Sequence, residues 1–192
     1  DALRCYLHSE NLYKEMESKK PGSHAIDLAE TLNVMGSLYQ SQNDFETAGW
    51  YYTRSLEIIQ SCANADSEDD EYSLIIAHNN LGTYHMERAE NEKAIVYMKK
   101  ALSLIECVEN QNNEKYNAML SVILSNLGKI CTDMSEFTEA EKYLFRALEI
   151  REKLCVLNPS AHNPSLAITL NYLSILFQKV PDSKEKAFDY LT

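Results

Sequence analysis

The sequence predicts an all-α fold, a solenoid in which antiparallel helix-turn-helix hairpins repeat along the chain. Small residues recur at an interval of about 46 residues, a period that is typical of stacked helical repeats. One column of this period contains Gly36, Gly82, Gly128 and Ser174, and a second contains Ala48, Ala94 and Ala140. Only 5 Gly and 4 Pro occur in 192 residues, which favours long helices over a strand-rich fold.

Apolar residues within one repeat unit are spaced for a helix face. Leu32, Met35 and Tyr39 lie three and four residues apart, so their side chains share one side of a helix. The small-residue columns predict a close approach of the two helices of a hairpin, because a larger side chain would separate their backbones. At Gly128 we therefore expect leucine to be severely destabilising and alanine to be mild or even stabilising.

The helices can be placed in order along the chain. Residues 1–18 match the second helix of a repeat and form a half repeat. The units that follow are repeats at 24–63, 72–109 and 114–156 and a partial repeat at 165–192. Asp44 and Ser135 are predicted N-caps of second helices, because short polar side chains accept hydrogen bonds from the first backbone amides. Two prolines in the segment 158–164 predict a rigid turn before the partial repeat.

The order of these residues resembles the tetratricopeptide repeat. Its pattern of large, Leu, Gly, Tyr, Ala, aromatic and Ala is matched by Leu32, Met35, Gly36, Tyr39, Ala48, Tyr52 and Ser55. The long period and the runs at 147–154 and 166–171 resemble the kinesin-light-chain-like branch of the family. The resemblance covers nearly the whole chain. It implies a single array over residues 1–192, a right-handed superhelix whose first helices line a concave groove.

The charge of the chain argues against some classes of partner. The formal net charge is -11 and the isoelectric point is near 4.9, whereas binding to nucleic acid or to an anionic membrane relies on Lys and Arg. No apolar run is long enough to span a bilayer, and no signal peptide is recognisable. We therefore expect no nucleic-acid or membrane partner, and a cytoplasmic location.

The cysteines favour the same compartment. Five cysteines cannot all pair within one chain, and none has a CxxC or zinc-ligand spacing. A reducing environment is the simpler expectation. Cys5 shares the column of Tyr51 and Tyr97, and Cys131 shares that of Tyr39, so both cysteines are expected to be small buried residues.

No motif for catalysis or cofactor binding occurs in the sequence. A Gly-rich phosphate loop, a GxSxG nucleophile elbow and an HExxH zinc motif are all missing. His78 and His85 are the best metal-ligand candidates, but they occupy the core columns of Leu32 and Tyr39. The acidic segment 63–71 lacks the alternating ligands and central glycine of a calcium loop. We predict no enzymatic activity and no bound metal or cofactor.

The polar face of the first helices is the remaining candidate site. The family geometry places in the groove Asn33, Ser37, Gln40, Asn79, Thr83, Met86, Ser125, Lys129, Thr132, Asn171, Ile175 and Gln178. Asn33, Asn79 and Asn171 share a column in which similar tetratricopeptide repeats use asparagine to hydrogen-bond a peptide main chain. Ser125 interrupts this column. The alternative is that these asparagines bond within their own helix hairpins.

The resemblance and the groove together favour a protein-interaction scaffold. Its partner is expected to be an extended or short helical peptide, held by its main chain across the first three repeats. If main-chain bonds dominate, the affinity should depend only weakly on salt. The second hypothesis is a regulatory or sensor domain of a larger signalling protein. Apolar residues such as Leu3 and Leu7 at the truncated first repeat also predict self-association through the repeat ends.

Overall fold

The structure is a computed structural model that describes residues 2–19, 24–62, 68–108 and 113–180. These residues form eight α-helices and no strand, which confirms the predicted all-α fold. The helices are α1 Ala2–Lys19, α2 Ala25–Ser41, α3 Phe45–Cys62, α4 Glu68–Glu87, α5 Asn91–Cys107, α6 Glu114–Asp133, α7 Phe137–Leu157 and α8 Pro159–Lys179. The end of the predicted partial repeat, residues 181–192, and most of the acidic segment 63–71 lie outside the described residues.

Contacts divide the chain into two compact units, Asp1–Arg88 with α1 to α4 and Ala89–Thr192 with α5 to α8. The core of the first unit contains Leu32 and Met35 of α2 and Tyr51 of α3, and Tyr39 packs against them. The predicted apolar face of this repeat is therefore confirmed. A Cβ atom added to Gly36 would lie 2.7 Å from the Tyr52 ring, which shows how closely α2 and α3 approach.

The core of the second unit joins α6, α7 and α8 through buried side chains that include Cys131, Leu144, Leu173 and Phe177. Cys131 is buried, as its column predicts. The same prediction for Cys5 is wrong, because Cys5 is exposed. α1 packs against α2, and its Glu10 also hydrogen-bonds Tyr51 of α3. The column that is buried at Tyr51 is nevertheless open to solvent at Cys5.

The turns that follow α2, α4 and α6 share one backbone feature. Asn43, Ala89 and Ser135 all have positive φ, at 62°, 56° and 63°. A residue in this left-handed region closes the preceding helix, and the Ser135 amide accordingly donates to the Thr132 carbonyl at 3.2 Å. The predicted N-cap role of Ser135 is therefore wrong, and Glu136 holds the cap position without a side-chain bond.

Two further predictions, the N-cap at Asp44 and the turn at 158–164, have different outcomes. Asp44 is the N-cap of α3, because its Oδ1 accepts a hydrogen bond from the Thr47 amide at 3.1 Å. The rigid turn predicted at 158–164 is wrong, since α8 begins at Pro159 and includes Pro164. Proline at the first position of a helix loses no hydrogen bond. Pro164 leaves the Ser160 carbonyl without a helical partner, and Ser160 is exposed to water.

The structure also places the residues considered for metal binding and self-association. His78 is buried and His85 is half-buried, and no group of three metal-ligating side chains was found among the described residues. None of the described helices has the length and apolarity that membrane crossing requires. Leu7 is exposed, whereas the side chain of Leu3 lies outside the described set, and self-association stays a prediction.

Candidate functional site

An open cleft of about 810 Å³ runs between α2 and α4 in the first unit. It is lined by Glu30, Asn33, Val34, Ser37, Gln40, Ser41, Tyr52, Ile76, Asn79, Asn80, Thr83 and Glu87. Every lining residue of α2 except Gln40 has an equivalent lining residue in α4 at the repeat interval of about 46 residues. The two helices therefore present equivalent faces to the cleft.

Two hydrogen bonds fix α2 and α4 side by side in the same direction. Near the starts of the helices, the Ser73 hydroxyl donates to Glu30 Oε1 at 3.1 Å. Near their ends, Gln40 Nε2 donates to Glu87 Oε2 at 2.6 Å. The cleft lies between these two bonds, and each of its ends has a carboxylate.

Two asparagine side chains in the cleft have unsatisfied oxygens. Asn33 is 7% exposed and Asn79 is 8% exposed, and the Oδ1 atom of each is buried without a hydrogen-bond partner. A buried polar atom in this condition costs about 1–3 kcal/mol, and such atoms are few in folded proteins. The helix hairpins do not satisfy these two oxygens, and both residues line the cleft.

Tyr52 of α3 also lines the cleft. Its side chain is buried, and burial raises the pKa of the phenol to about 12, although a hydrogen bond with Ser37 acts in the opposite direction. In the neighbouring core, burial likewise raises the pKa of Tyr51 to about 12. Both phenols are therefore neutral in the folded protein far above the pH at which an exposed tyrosine ionises.

We expect the protein to lose stability in alkali. Tyrosines of the unfolded chain release their protons near pH 10, whereas Tyr51 and Tyr52 in the fold hold theirs to about pH 12. The contribution of these phenols to the free energy of unfolding is therefore complete below pH 10 and falls as the pH rises toward 12. Urea unfolding between pH 8 and pH 11.5 measures this fall. Tyr52→Phe should reduce its slope, and an unchanged slope would contradict the assignment.

Five of the predicted site residues line the cleft together: Asn33, Ser37, Gln40, Asn79 and Thr83. Met86 is half-buried on α4 but does not line it. The other predicted residues belong to the second unit.

Two hydroxyls of the second unit are buried and bonded within it. Ser125 Oγ donates to the Ser121 carbonyl at 2.8 Å and lies 3.1 Å from Thr169 Oγ1. Thr132 Oγ1 donates to the Gly128 carbonyl at 2.8 Å. Neither hydroxyl is therefore available to hydrogen-bond a ligand.

The remaining predicted residues lie at the surface of the second unit. Lys129 and Lys179 donate to the two oxygens of Asp133 at 2.8 and 3.1 Å. Burial raises the pKa of Asp133, but these two lysines outweigh it and hold the pKa below its usual range. Asn171 and Ile175 are exposed, and so is Gln178, whose Nε2 donates to Ser174 Oγ at 3.3 Å.

The sequence interpretation missed several residues that line the cleft, including Glu30, Asn80 and Glu87. A signal for them was present. Glu30 precedes Asn33 by three residues, and Glu87 follows Thr83 by four. These spacings place each glutamate on the same helix face as the predicted residue.

Comparison with protein-family models identifies the repeats. Models described as tetratricopeptide repeat match residues 29–62, 75–106 and 123–154, about half of the chain. The chain belongs to the tetratricopeptide repeat family. Repeats of this family generally mediate protein–protein interactions, and proteins built from them are generally non-enzymatic scaffolds.

Similar folds occur among solved structures. BtubC (BKLC) from P. vanneervenii has 19% sequence identity and a TM-score of 0.71, and the match covers 97% of this chain and 69% of that one. Two structures of nearly identical TPR-like repeats, assigned to a kinesin light chain of Podosopora anserina, have 11% identity and TM-scores of 0.57 and 0.56. Each match covers 97% of this chain and 83% of the other. No curated protein matches the chain. The structural matches support the fold.

Proposed function

We propose that the cleft between α2 and α4 binds a peptide segment of a partner protein through its main chain. The observation that carries this proposal is the pair of buried, unpartnered oxygens of Asn33 and Asn79. Each oxygen can accept a hydrogen bond from a backbone N–H group of a peptide. Binding would therefore remove a cost that the free protein pays at these two side chains.

The other residues that line the cleft suit the same ligand. Ser37, Asn80 and Thr83 are polar groups that can donate and accept, as a peptide main chain does. Val34 and Ile76 supply apolar surface for the side chains of the peptide. A peptide that is unstructured in solution must be ordered when it binds, so the affinity should be modest, roughly micromolar.

We expect the double substitution Asn33→Ala with Asn79→Ala to separate binding from stability. Loss of two hydrogen bonds should weaken peptide binding about 5- to 150-fold. The melting temperature should stay the same or rise, because the variant removes two unsatisfied buried oxygens and alanine has the higher helix propensity. A merely structural role for the asparagines would instead lower the melting temperature.

The experiment begins with a display library of random peptides selected on the whole chain. Affinities of the enriched peptides are then measured by calorimetry for the wild type and the double variant. Asn11→Ala, at an exposed position on α1, is the matched control and should bind normally. Equal affinity of the wild type and a correctly folded double variant would show that the peptide does not bind in the cleft.

A further inference from the structure

The charged residues that line the cleft are all acidic, and they bear on the side chains that a bound peptide would carry. Glu30 and Glu87 are its charged lining residues, and no Lys, Arg or His side chain lines it among the described residues. Each carboxylate is oriented by a neutral group of the neighbouring helix, the Ser73 hydroxyl and the Gln40 amide respectively. A carboxylate accepts about four hydrogen bonds, so both groups retain capacity for a cationic donor.

The distance between the carboxylates follows from the helix geometry. Glu87 lies at the level of Gln40 because of the 2.6 Å bond between them. Glu30 and Gln40 are separated by ten residues of α2, which is about 15 Å along the helix axis. An extended peptide rises about 3.3 Å per residue. It therefore covers the distance in four to five residues.

We propose that the ligand is an extended basic segment, in which two Lys or Arg side chains four to five residues apart pair with Glu30 and Glu87. This inference rests on the proposed function and adds the partner class to it. The main chain between the two cations crosses Asn33 and Asn79, whose buried unpartnered oxygens accept its N–H groups. The acidic cleft and the net charge of -11 both favour approach of a cationic partner.

Binding then has a salt-dependent part, which the sequence interpretation did not anticipate. Exposed ion pairs contribute little individually, and two of them should strengthen binding about 2- to 30-fold. Salt screens such pairs. The main-chain hydrogen bonds should persist at high salt, whereas the contribution of the carboxylates should disappear.

The test uses the same library and the variant Glu30→Gln with Glu87→Gln, which keeps the shape and hydrogen bonding of the cleft but removes its charge. The matched control is Glu46→Gln with Glu57→Gln, an equal change of net charge at exposed positions of α3. Enriched peptides should carry Lys or Arg at separations of four or five. They should lose about 2- to 30-fold in affinity with the cleft variant at low salt, and nothing with the control.

The outcomes distinguish this inference from the function on which it rests. Peptides that depend on Asn33 and Asn79 but show no cationic enrichment, or bind the Glu30→Gln with Glu87→Gln variant equally well, would overturn the basic-segment proposal alone. Peptides that are indifferent to the asparagines, or a selection that enriches none, would overturn both. A loss of affinity shared equally by the control variant would assign the effect to net charge and would also overturn the proposal.

Discussion

Gly128→Leu should lower the free energy of unfolding by about 3 kcal/mol or more, and Gly128→Ala should also be clearly destabilising. A Cβ atom at this position would lie 2.6 Å from Leu144 Cδ2, closer still to Leu144 Cγ, and 3.3 Å from the Ala140 carbonyl oxygen. Leu144 is fully buried, so it cannot turn away without disturbing the core of the second unit. The helix propensity of alanine offsets only about 1 kcal/mol of this cost.

The short contacts at Gly128 replace the expectation from the repeat column that alanine would be mild or stabilising. A double-mutant cycle checks the cause, because Leu144→Ala removes the atoms that a Cβ would meet. Urea unfolding should show that Gly128→Ala is neutral or stabilising in the Leu144→Ala background. A destabilisation of the same size in both backgrounds would contradict the contact with Leu144.

Arg151→Ala should lower the free energy of unfolding by about 2–5 kcal/mol. Arg151 lies on α7 with 3% exposure. Its Nε donates to Ser121 Oγ of α6 at 3.1 Å. Its Nη1 donates to Thr169 Oγ1 of α8 at 2.5 Å and also to the Ser165 carbonyl. One side chain therefore connects three helices. Burial lowers its pKa to about 10, so the guanidinium remains charged at neutral pH.

Two further variants at this position separate volume from hydrogen bonding. Arg151→Met fills most of the space and removes a buried charge, and Thr169 Oγ1 can still donate to the Ser165 carbonyl, from which it lies 3.4 Å. Arg151→Met should therefore recover at least half of the free energy of unfolding that the alanine variant loses. Arg151→Lys should recover less, because an ammonium group cannot reach the separate acceptors as the planar guanidinium does. Urea unfolding at pH 7 measures all three variants. An ordinary surface substitution changes the free energy of unfolding by about 0.5 kcal/mol or less, so an alanine variant within about 0.5 kcal/mol of the wild type would contradict the role of Arg151.

The regular features of the fold could be predicted because the repeats bury many of the same positions. Leu32, Met35 and Gly36 are core residues for a reason that recurs at each period of about 46 residues, so the pattern indicates both helices and their packed faces. The start of α8 could not be predicted in this way. It depends on whether the exposed Ser160 carbonyl tolerates Pro164, and a single proline does not reveal that.

The candidate site could be predicted only in part. The face of α2 and α4 that carries Asn33 and Asn79 follows from helical spacing. The role of Ser125 does not follow from spacing. Its hydroxyl is hydrogen-bonded to the Ser121 carbonyl and to the hydroxyl of Thr169, a residue far along the chain. Whether a polar residue in a groove column contacts a ligand or the core therefore depends on neighbouring residues from other columns, which the column pattern does not reveal.

The central claim is that the main chain of a peptide satisfies the buried oxygens of Asn33 and Asn79. The most direct measurement is a crystal structure of the whole chain with a peptide enriched from the library. We expect backbone nitrogens of the peptide at about 2.7–3.2 Å from both Oδ1 atoms. A peptide bound away from α2 and α4, or one in the cleft that leaves both oxygens without a partner, would contradict the claim.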